Sequence, residues 1–473
     1  MPVAGRDDEV KMLESMLTST ESEFVAMYGR RRIGKTFLIE ETYRKNTVFF
    51  ASGIHEENML SQHENFFKEL NAYFKLGKKD ELPTTWLKAF ALLEKCITNL
   101  THTTKKVIFL DEISWLDTPK SGFVGALNNF WNTFCNRRKD IVLVICGSAA
   151  SWIINKVIKN KGGLHNRITN CIQLMPFTLQ ETEAFLKLRN INLSRRDVVL
   201  IYMCTGGVPY YLKFITPGKS VPQVINDLFF KQNASLKLEL NNLYASLFKN
   251  AYLHEAIVMA LAKTKGGLTR NALLVQTNLV SGGGISLVLE ELVQCGFITR
   301  VYPYSNKKTY SIFRLTDFFT LFYLRFVPTD NSILNWDKLA GSQSYKIWCG
   351  YAFETLCALH INKIKGSLSI LGVLSNEYSW YKKGNSESKG AQIDLIIDRD
   401  DNCINICEMK FYKEQYIMTK TDEDNLRNKI AVFRHDTKTK KNIFITLITL
   451  NGYFKNKYSL SIVTNSIEVD ALF

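Results

Sequence analysis

The chain has 473 residues, of which 46% are hydrophobic and 12% aromatic, enough for several packed cores and far from a disordered or low-complexity polypeptide. Length alone predicts roughly three domains at about 150 residues each. Sixty Lys+Arg against 45 Asp+Glu leave a formal net charge of +15, spread as +5 over residues 1–174, +7 over 175–344 and +3 over 345–473, so no single basic tail carries the excess, which favours a polyanionic partner.

The first ten residues, MPVAGRDDEV, contain no apolar core of a secretory signal, and the longest apolar runs, such as 141–146 and 318–324, fall short of the roughly 18 residues a membrane span needs. Ten cysteines without any CxxC pair read as reduced thiols, so a cytoplasmic protein without a membrane anchor is expected.

Residues 24–28, FVAMY, form a strand-like run that ends at Gly29, and a helical pattern resumes at Thr36. Further strands are predicted at 47–51, 107–110, 141–146 and 171–174, with helices at 56–74 and 86–100 between them. Strands alternating with helices imply βαβ units and a parallel sheet. From Leu179 the pattern turns helical, at 180–188, 197–204 and 221–230. Residues 252–315 read as a helix, a helix at 269–277, a glycine turn at 282–284, a helix at 286–295 and strands at 297–302 and 309–315, the layout of a winged helix-turn-helix. A linker containing Pro328 leads to a last unit with a helix at 351–364 and strands near 375–380, 392–398, 404–409 and 442–450. The expected division is a parallel-sheet α/β core at 1–178, a helical lid at 179–248, a winged helix at 249–328 and a final α/β domain at 345–473.

The segment Gly29-Arg30-Arg31-Arg32-Ile33-Gly34-Lys35-Thr36, followed by Phe37, fits GxxxxGK[ST] between a strand and a helix. Backbone N–H groups of such a loop wrap phosphates, Lys35 reaches the β- and γ-phosphates, and Thr36 offers its hydroxyl to Mg²⁺. The arginines Arg30 to Arg32 serve the phosphates or solvate the loop's outer face. An apolar strand ends in Asp111-Glu112, where Asp111 is placed to hold Mg²⁺ and Glu112 to polarise a water against the γ-phosphate. Ser148, after the fourth strand, is placed to sense that phosphate. Arg167, in the segment HNRIT, is either an arginine finger or a solvated loop residue.

These segments, with FLDE, GSAASW, QLMPFTLQE and TGGVPYYL, resemble the archaeal-type ATPases, a branch of the P-loop ATPases close to AAA+ and STAND proteins, over about residues 1–220. The resemblance implies ATP as cofactor and places Gly206, Gly207 and Pro209 near the adenine.

The presumed recognition helix, ISLVLEELVQC, has two Glu and no Lys or Arg, whereas the wing carries Arg300, Lys307, Lys308 and Tyr302, Tyr304 and Tyr310. Duplex contact through the wing and a protein–protein role both stay open.

Near the end, GAQIDLIIDRDDNCINICEMKF places Asp394 on one strand and Glu408-x-Lys410 on the next, with Glu408 and Lys410 on one face by the period of two. Asp394 and Glu408 are expected to hold Mg²⁺ or Mn²⁺, Lys410 to orient the attacking water, Glu354 to complete the metal site and Gln392 to support it. This resembles the PD-(D/E)xK nuclease superfamily, with Ile393 where the name has proline, and the region from 345 resembles the C-terminal domain that commonly follows archaeal-type ATPases. The expectation is therefore an α/β protein that hydrolyses ATP and uses nucleotide state to control a DNA-binding, DNA-cleaving domain. The alternative is a nucleotide-switched regulator or scaffold whose nuclease-like domain is inactive and binds a protein partner.

Overall fold

The computed structural model of the chain describes residues 3–101, 104–148, 152–158, 164, 166–248, 250–280, 282–304, 311–327, 336–384 and 389–473. Of the residues singled out above, Lys307, Lys308, Tyr310 and Pro328 lie outside these. The chain forms two compact units: Met1–Pro176 with Ser246–Lys249 and Glu290–Gly296, and Phe177–Ala245 with Asn250–Leu289 and Phe297–Phe473.

The first unit is a three-layer α/β sandwich. Its parallel strands β1 (Glu23–Tyr28), β2 (Thr47–Ser52), β3 (Lys106–Asp111), β4 (Ile141–Gly147) and β5 (Asn170–Gln173) stand in the order β2-β3-β4-β1-β5. β3 and β4 are buried along their whole length, which is why they read as continuous apolar runs and not as alternating ones. β3 begins one residue earlier than its apolar run because Lys106 is neutralised in place: its Nζ donates to Asp140 Oδ2 at 2.7 Å. The Arg138 guanidinium also binds Asp140, and the two cations hold that carboxyl far below its ordinary value.

On one face, Leu13 and Met16 of α1 (Asp7–Thr18) and Leu38, Ile39 and Tyr43 of α2 (Lys35–Tyr43) pack on Val25, Val107 and Val144. On the other, α3 (Met59–Phe74), α4 (Trp86–Thr98) and α6 (Phe123–Thr133) pack through aromatic rings, such as Phe49 against Phe66 at 5.1 Å and Phe24 against Trp131 at 4.8 Å; the short α5 (Ile113–Leu116) follows β3. α3 starts at Met59 instead of residue 56 because the Asn58 side chain accepts from Ser61 N and fixes the cap there.

The second unit opens with α7 (Leu179–Leu188), started by the capping box Thr178/Glu181, and α8 (Arg195–Thr205). Helices α9 (Ala251–Ala262), α10 (Arg270–Thr277) and α11 (Gly283–Gln294), the last of which counts with the first unit from Glu290 on, accompany a sheet of β6 (Leu268–Thr269), β7 (Ile298–Val301) and β8 (Ile312–Leu315), antiparallel in the order β6-β8-β7. The strand pattern continues past β7: Pro303 bridges Ser379, and Tyr304 packs on Tyr378 and Phe433 with centroids 5.3 and 5.1 Å away. This corrects the reading of Tyr304 as a residue offered to a duplex; it is half-buried against the last sheet. Helix α12 (Phe318–Phe326), absent from the sequence reading, packs on α8 through Phe318 and Tyr202.

That last sheet has the order β15-β13-β11-β10-β9, formed by β9 (Ser375–Lys382), β10 (Ala391–Arg399), β11 (Cys403–Lys410), β13 (Asn442–Thr449) and β15 (Val463–Glu468); β12 (Tyr416–Ile417) and β14 (Tyr453–Phe454) pair separately. The β9–β10–β11 pairs are antiparallel, and β11–β13–β15 are parallel. The crossover from β11 to β13 is made by α14 (Lys420–Thr437), whose Leu426 and Phe433 cover Ile404, Ile406 and Ile445. Ahead of the sheet, α13 (Gln343–Leu359) is capped by Ser342 and breaks at His360, after which a short helix, Ile361–Ser367, carries on through the predicted end at 364. At the break the ring accepts from Leu179 N at Nε2 and bonds the Leu356 carbonyl at Nδ1, which ties it to α7. Among the described residues, no helix is long and apolar enough to cross a membrane.

Candidate functional sites

At the carboxyl end of β1 the loop turns at Gly29, whose φ of 149° and close neighbour exclude a side chain: a Cβ there would lie 2.2 Å from the Leu174 carbonyl oxygen. Gly34 precedes α2 with φ of 88° but has open space around it. Lys35 is buried, and its Nζ donates to the carbonyls of Gly29 at 3.0 Å and Arg30 at 2.9 Å, so the loop folds around its own ammonium. The three arginines differ: Arg30 is buried at 1% exposure, which corrects the outer-face reading for that residue, Arg31 is exposed, and Arg32 takes φ of 74°. Ile33 is buried and Phe37 exposed.

β3 lies one strand away from β1, across β4, and this order delivers its carboxylates to the loop. Thr36 Oγ1 donates to Asp111 Oδ2 at 2.7 Å, and the other Asp111 oxygen accepts from Glu112 N at 2.8 Å. Glu112 sits in the left-handed region at φ 43°, which turns its side chain toward β4. There Glu112 Oε2 accepts from Ser148 Oγ at 2.8 Å and from Ser148 N at 3.4 Å. Lys35, Thr36, Asp111, Glu112 and Ser148, spread over more than a hundred residues, therefore meet at the carboxyl edge of one sheet. Two hard oxygen ligands, Thr36 Oγ1 and Asp111 Oδ2, already share one spot, a donor set that suits Mg²⁺.

Arg167 lies in an exposed turn whose backbone is tied to Leu164. Gly206 ends α8, Gly207 pairs through its carbonyl with Phe177 N at 2.9 Å, and Pro209 starts a short helix, Pro209–Leu212; all three belong to the second unit.

The second unit holds a cavity of about 660 Å³ between α13, α14 and the sheet, and Glu354, Asp394, Glu408, Lys410 and Lys429 all line it. A β-bulge between Ile393 and Ile396 re-aims Asp394, whose Oδ1 accepts from Gln392 at 2.7 Å. Glu408 is held on both oxygens, by Lys410 at 3.0 Å and by Lys429 at 2.7 Å. Burial works to raise the Glu408 carboxyl, but the two ammonium groups outweigh it and keep it below its ordinary value. Glu354 goes the other way: burial, then the charges of Asp394 and Glu408, push it up to about 7.

Glu354, Asp394, Glu408 and Lys410 are thus brought to one cavity, as expected. Among the described residues no group of three or more His, Cys, Asp or Glu is already arranged as a metal cluster. Lys429, which the sequence reading missed, balances with Lys410 the charge of Glu408 that a divalent ion would otherwise balance. Its signal was weak, a lysine in a highly charged helix.

Residues 4–215 match a family described as an ATPase domain predominantly from Archaea, which supports a P-loop ATPase over this part of the chain. The chain is 22% identical over 410 residues to an uncharacterized protein of Methanocaldococcus jannaschii, with 84% of each covered. Among solved structures it is similar to a Walker-type ATPase of Pyrococcus abyssi (16% identity, TM-score 0.46, 68% of this chain and 96% of that chain). It is also similar to the ORC2 protein of Aeropyrum pernix (15% identity, TM-score 0.45, 75% and 95% covered).

Proposed function

We propose that the protein hydrolyses ATP at the Lys35–Asp111–Glu112–Ser148 site and uses nucleotide state to control nucleic-acid binding, and strand cleavage, by its second unit. The observation that carries the first half is the paired contact Thr36–Asp111 and Ser148–Glu112 at one sheet edge. With ATP bound, Lys35 leaves its own loop carbonyls for the phosphates, and backbone N–H groups from Arg30 to Thr36 wrap them. Thr36 and Asp111 would hold Mg²⁺, which neutralises phosphate charge when bound. Glu112, oriented by the Ser148 hydroxyl, accepts the proton of the attacking water. Replacing Lys35 by Ala is expected to lower ATP hydrolysis by at least about a hundredfold, as loss of a charge clamp on the transferred group does; hydrolysis at the parent rate overturns this half.

For the second unit, what supports cleavage is the meeting of Asp394, Glu408 and Lys410 in one 660 Å³ cavity that Lys265, Thr299, Val301 and Arg314, from the segment that reads as a winged helix, also line. The ion pairs of Glu408 with Lys410 and Lys429 must open before the carboxylates can take a divalent ion, so no step is routed through one. Nicking of supercoiled DNA by the full chain in Mg²⁺ or Mn²⁺, lost in Asp394→Ala and in Lys410→Ala, is the expected result; DNA left uncut by the parent sinks the cleavage reading. A second reading, a nucleotide-switched regulator with an inactive nuclease-like domain, is favoured by the double engagement of Glu408 by lysines.

A further inference from the structure

Beside the acidic cavity lies another of about 340 Å³, and Lys265, Ile347 and Tyr351 border both. The two differ in charge. The larger is lined by acids and bases together, whereas the smaller is lined by Lys263, Lys265 and Arg325 and, among the described residues, by no carboxylate. Lys263 follows the last residue of α9, Arg325 lies in the last turn of α12, and Ser344 Oγ accepts from the Arg325 guanidinium at 2.8 Å, holding it at the rim. The negative carboxyl ends of α9 and α12 welcome one cation each. They do not account for Lys265, the third cation of the lining, and Trp348, 5% exposed, adds a buried indole to it. Apart from Thr264, the remaining lining, Leu324, Ile347 and Tyr351 among it, is apolar or aromatic.

Resting on the reading of the acidic cavity as a nucleic-acid site, we propose that this smaller cavity is the entry track for a single nucleic-acid strand. Phosphates of the strand meet Lys263, Lys265 and Arg325, and its unpaired bases lie on the apolar lining. A duplex keeps its bases in their own stack and would offer this lining nothing but phosphates. The substrate class of the second unit is accordingly a single strand, or a duplex with a single-stranded end.

The test is binding of fluorescein-labelled oligothymidylate to the full chain in EDTA, by fluorescence anisotropy across a salt series, which needs no cleavage. The variant Lys263→Ala/Lys265→Ala/Arg325→Ala is expected to bind at least about tenfold more weakly and to flatten the slope of log K against log salt by about 2, as three lost phosphate contacts on a single strand require. The single reversal Lys263→Glu should weaken binding in the same direction, and circular dichroism reports whether either variant is folded. Parental affinity and slope in the triple variant overturn the proposal, as does a blunt duplex of equal charge density bound as tightly as the single strand. Thymidine 5′-monophosphate competing at concentrations close to the oligonucleotide's also overturns it, since the cavity would then be a small-ligand site. Loss of binding in the triple variant, with a parent that never cuts, keeps the track and removes cleavage; the reverse pattern removes the track alone.

Discussion

Two acid-bearing strand ends, one in each unit, look alike in sequence and differ in what holds them. Asp111 and Glu112 are oriented by hydroxyls, Thr36 and Ser148, which fix geometry without cancelling charge. Glu408 is oriented by two ammonium groups, which do both. The first site keeps its negative charge for a cation and a phosphate to meet; the second has that charge balanced from within. Counter-charge, more than the acids themselves, therefore separates a site poised for a metal–phosphate ligand from one that must rearrange to take it.

The contrast can be broken most sharply at Glu112. Glu112→Gln should lower ATP hydrolysis by about 10² to 10⁴-fold, the usual worth of a general base, with ATP still bound; equilibrium dialysis and single-turnover hydrolysis check both parts. Next is Glu354, whose folded carboxyl is raised to about 7 from an ordinary 4.5. A raised carboxyl contributes stability that is complete below the unfolded value and lost as pH climbs through the folded one. Glu354→Gln should therefore stabilise the full chain by about 3 kcal/mol at about pH 8 and by almost nothing at about pH 4, read from urea unfolding in EDTA. No gain at the higher pH would mean that burial and the charges of Asp394 and Glu408 do not raise it. The smallest effect is expected at Ser148: Ser148→Ala removes one hydrogen bond to a charged group and should slow hydrolysis about tenfold without changing ATP affinity.

Much of the first unit was legible because its chemistry is written locally. The loop spacing from Gly29 to Thr36 fixes a backbone shape, and the apolar run before Asp111 fixes a buried strand end. Strand limits were misread where a charge is hidden by a distant partner, as with Lys106 and Asp140. In the second unit the face shared by Glu408 and Lys410 followed from strand periodicity, whereas the aim of Asp394 depends on a bulge that periodicity does not show. Lys429 reaches Glu408 from α14, a helix so rich in charge that no apolar stripe announced it. The packing of Tyr304 on Tyr378 and Phe433 was invisible for a related reason: an aromatic in a hairpin looks the same whether it faces a ligand or a neighbouring sheet.

The two glycines of the phosphate loop carry one letter but obey unlike rules of replacement. Gly29 is closed by space, because any Cβ would collide with the Leu174 carbonyl and push the end of β5 off β1. Gly34 is closed only by its dihedral, with nothing within 4 Å of a Cβ. A library randomised at both positions and selected for a folded chain should thus return glycine alone at 29. At 34 it should also return asparagine and aspartate, which tolerate the left-handed region at a cost of about 1 kcal/mol.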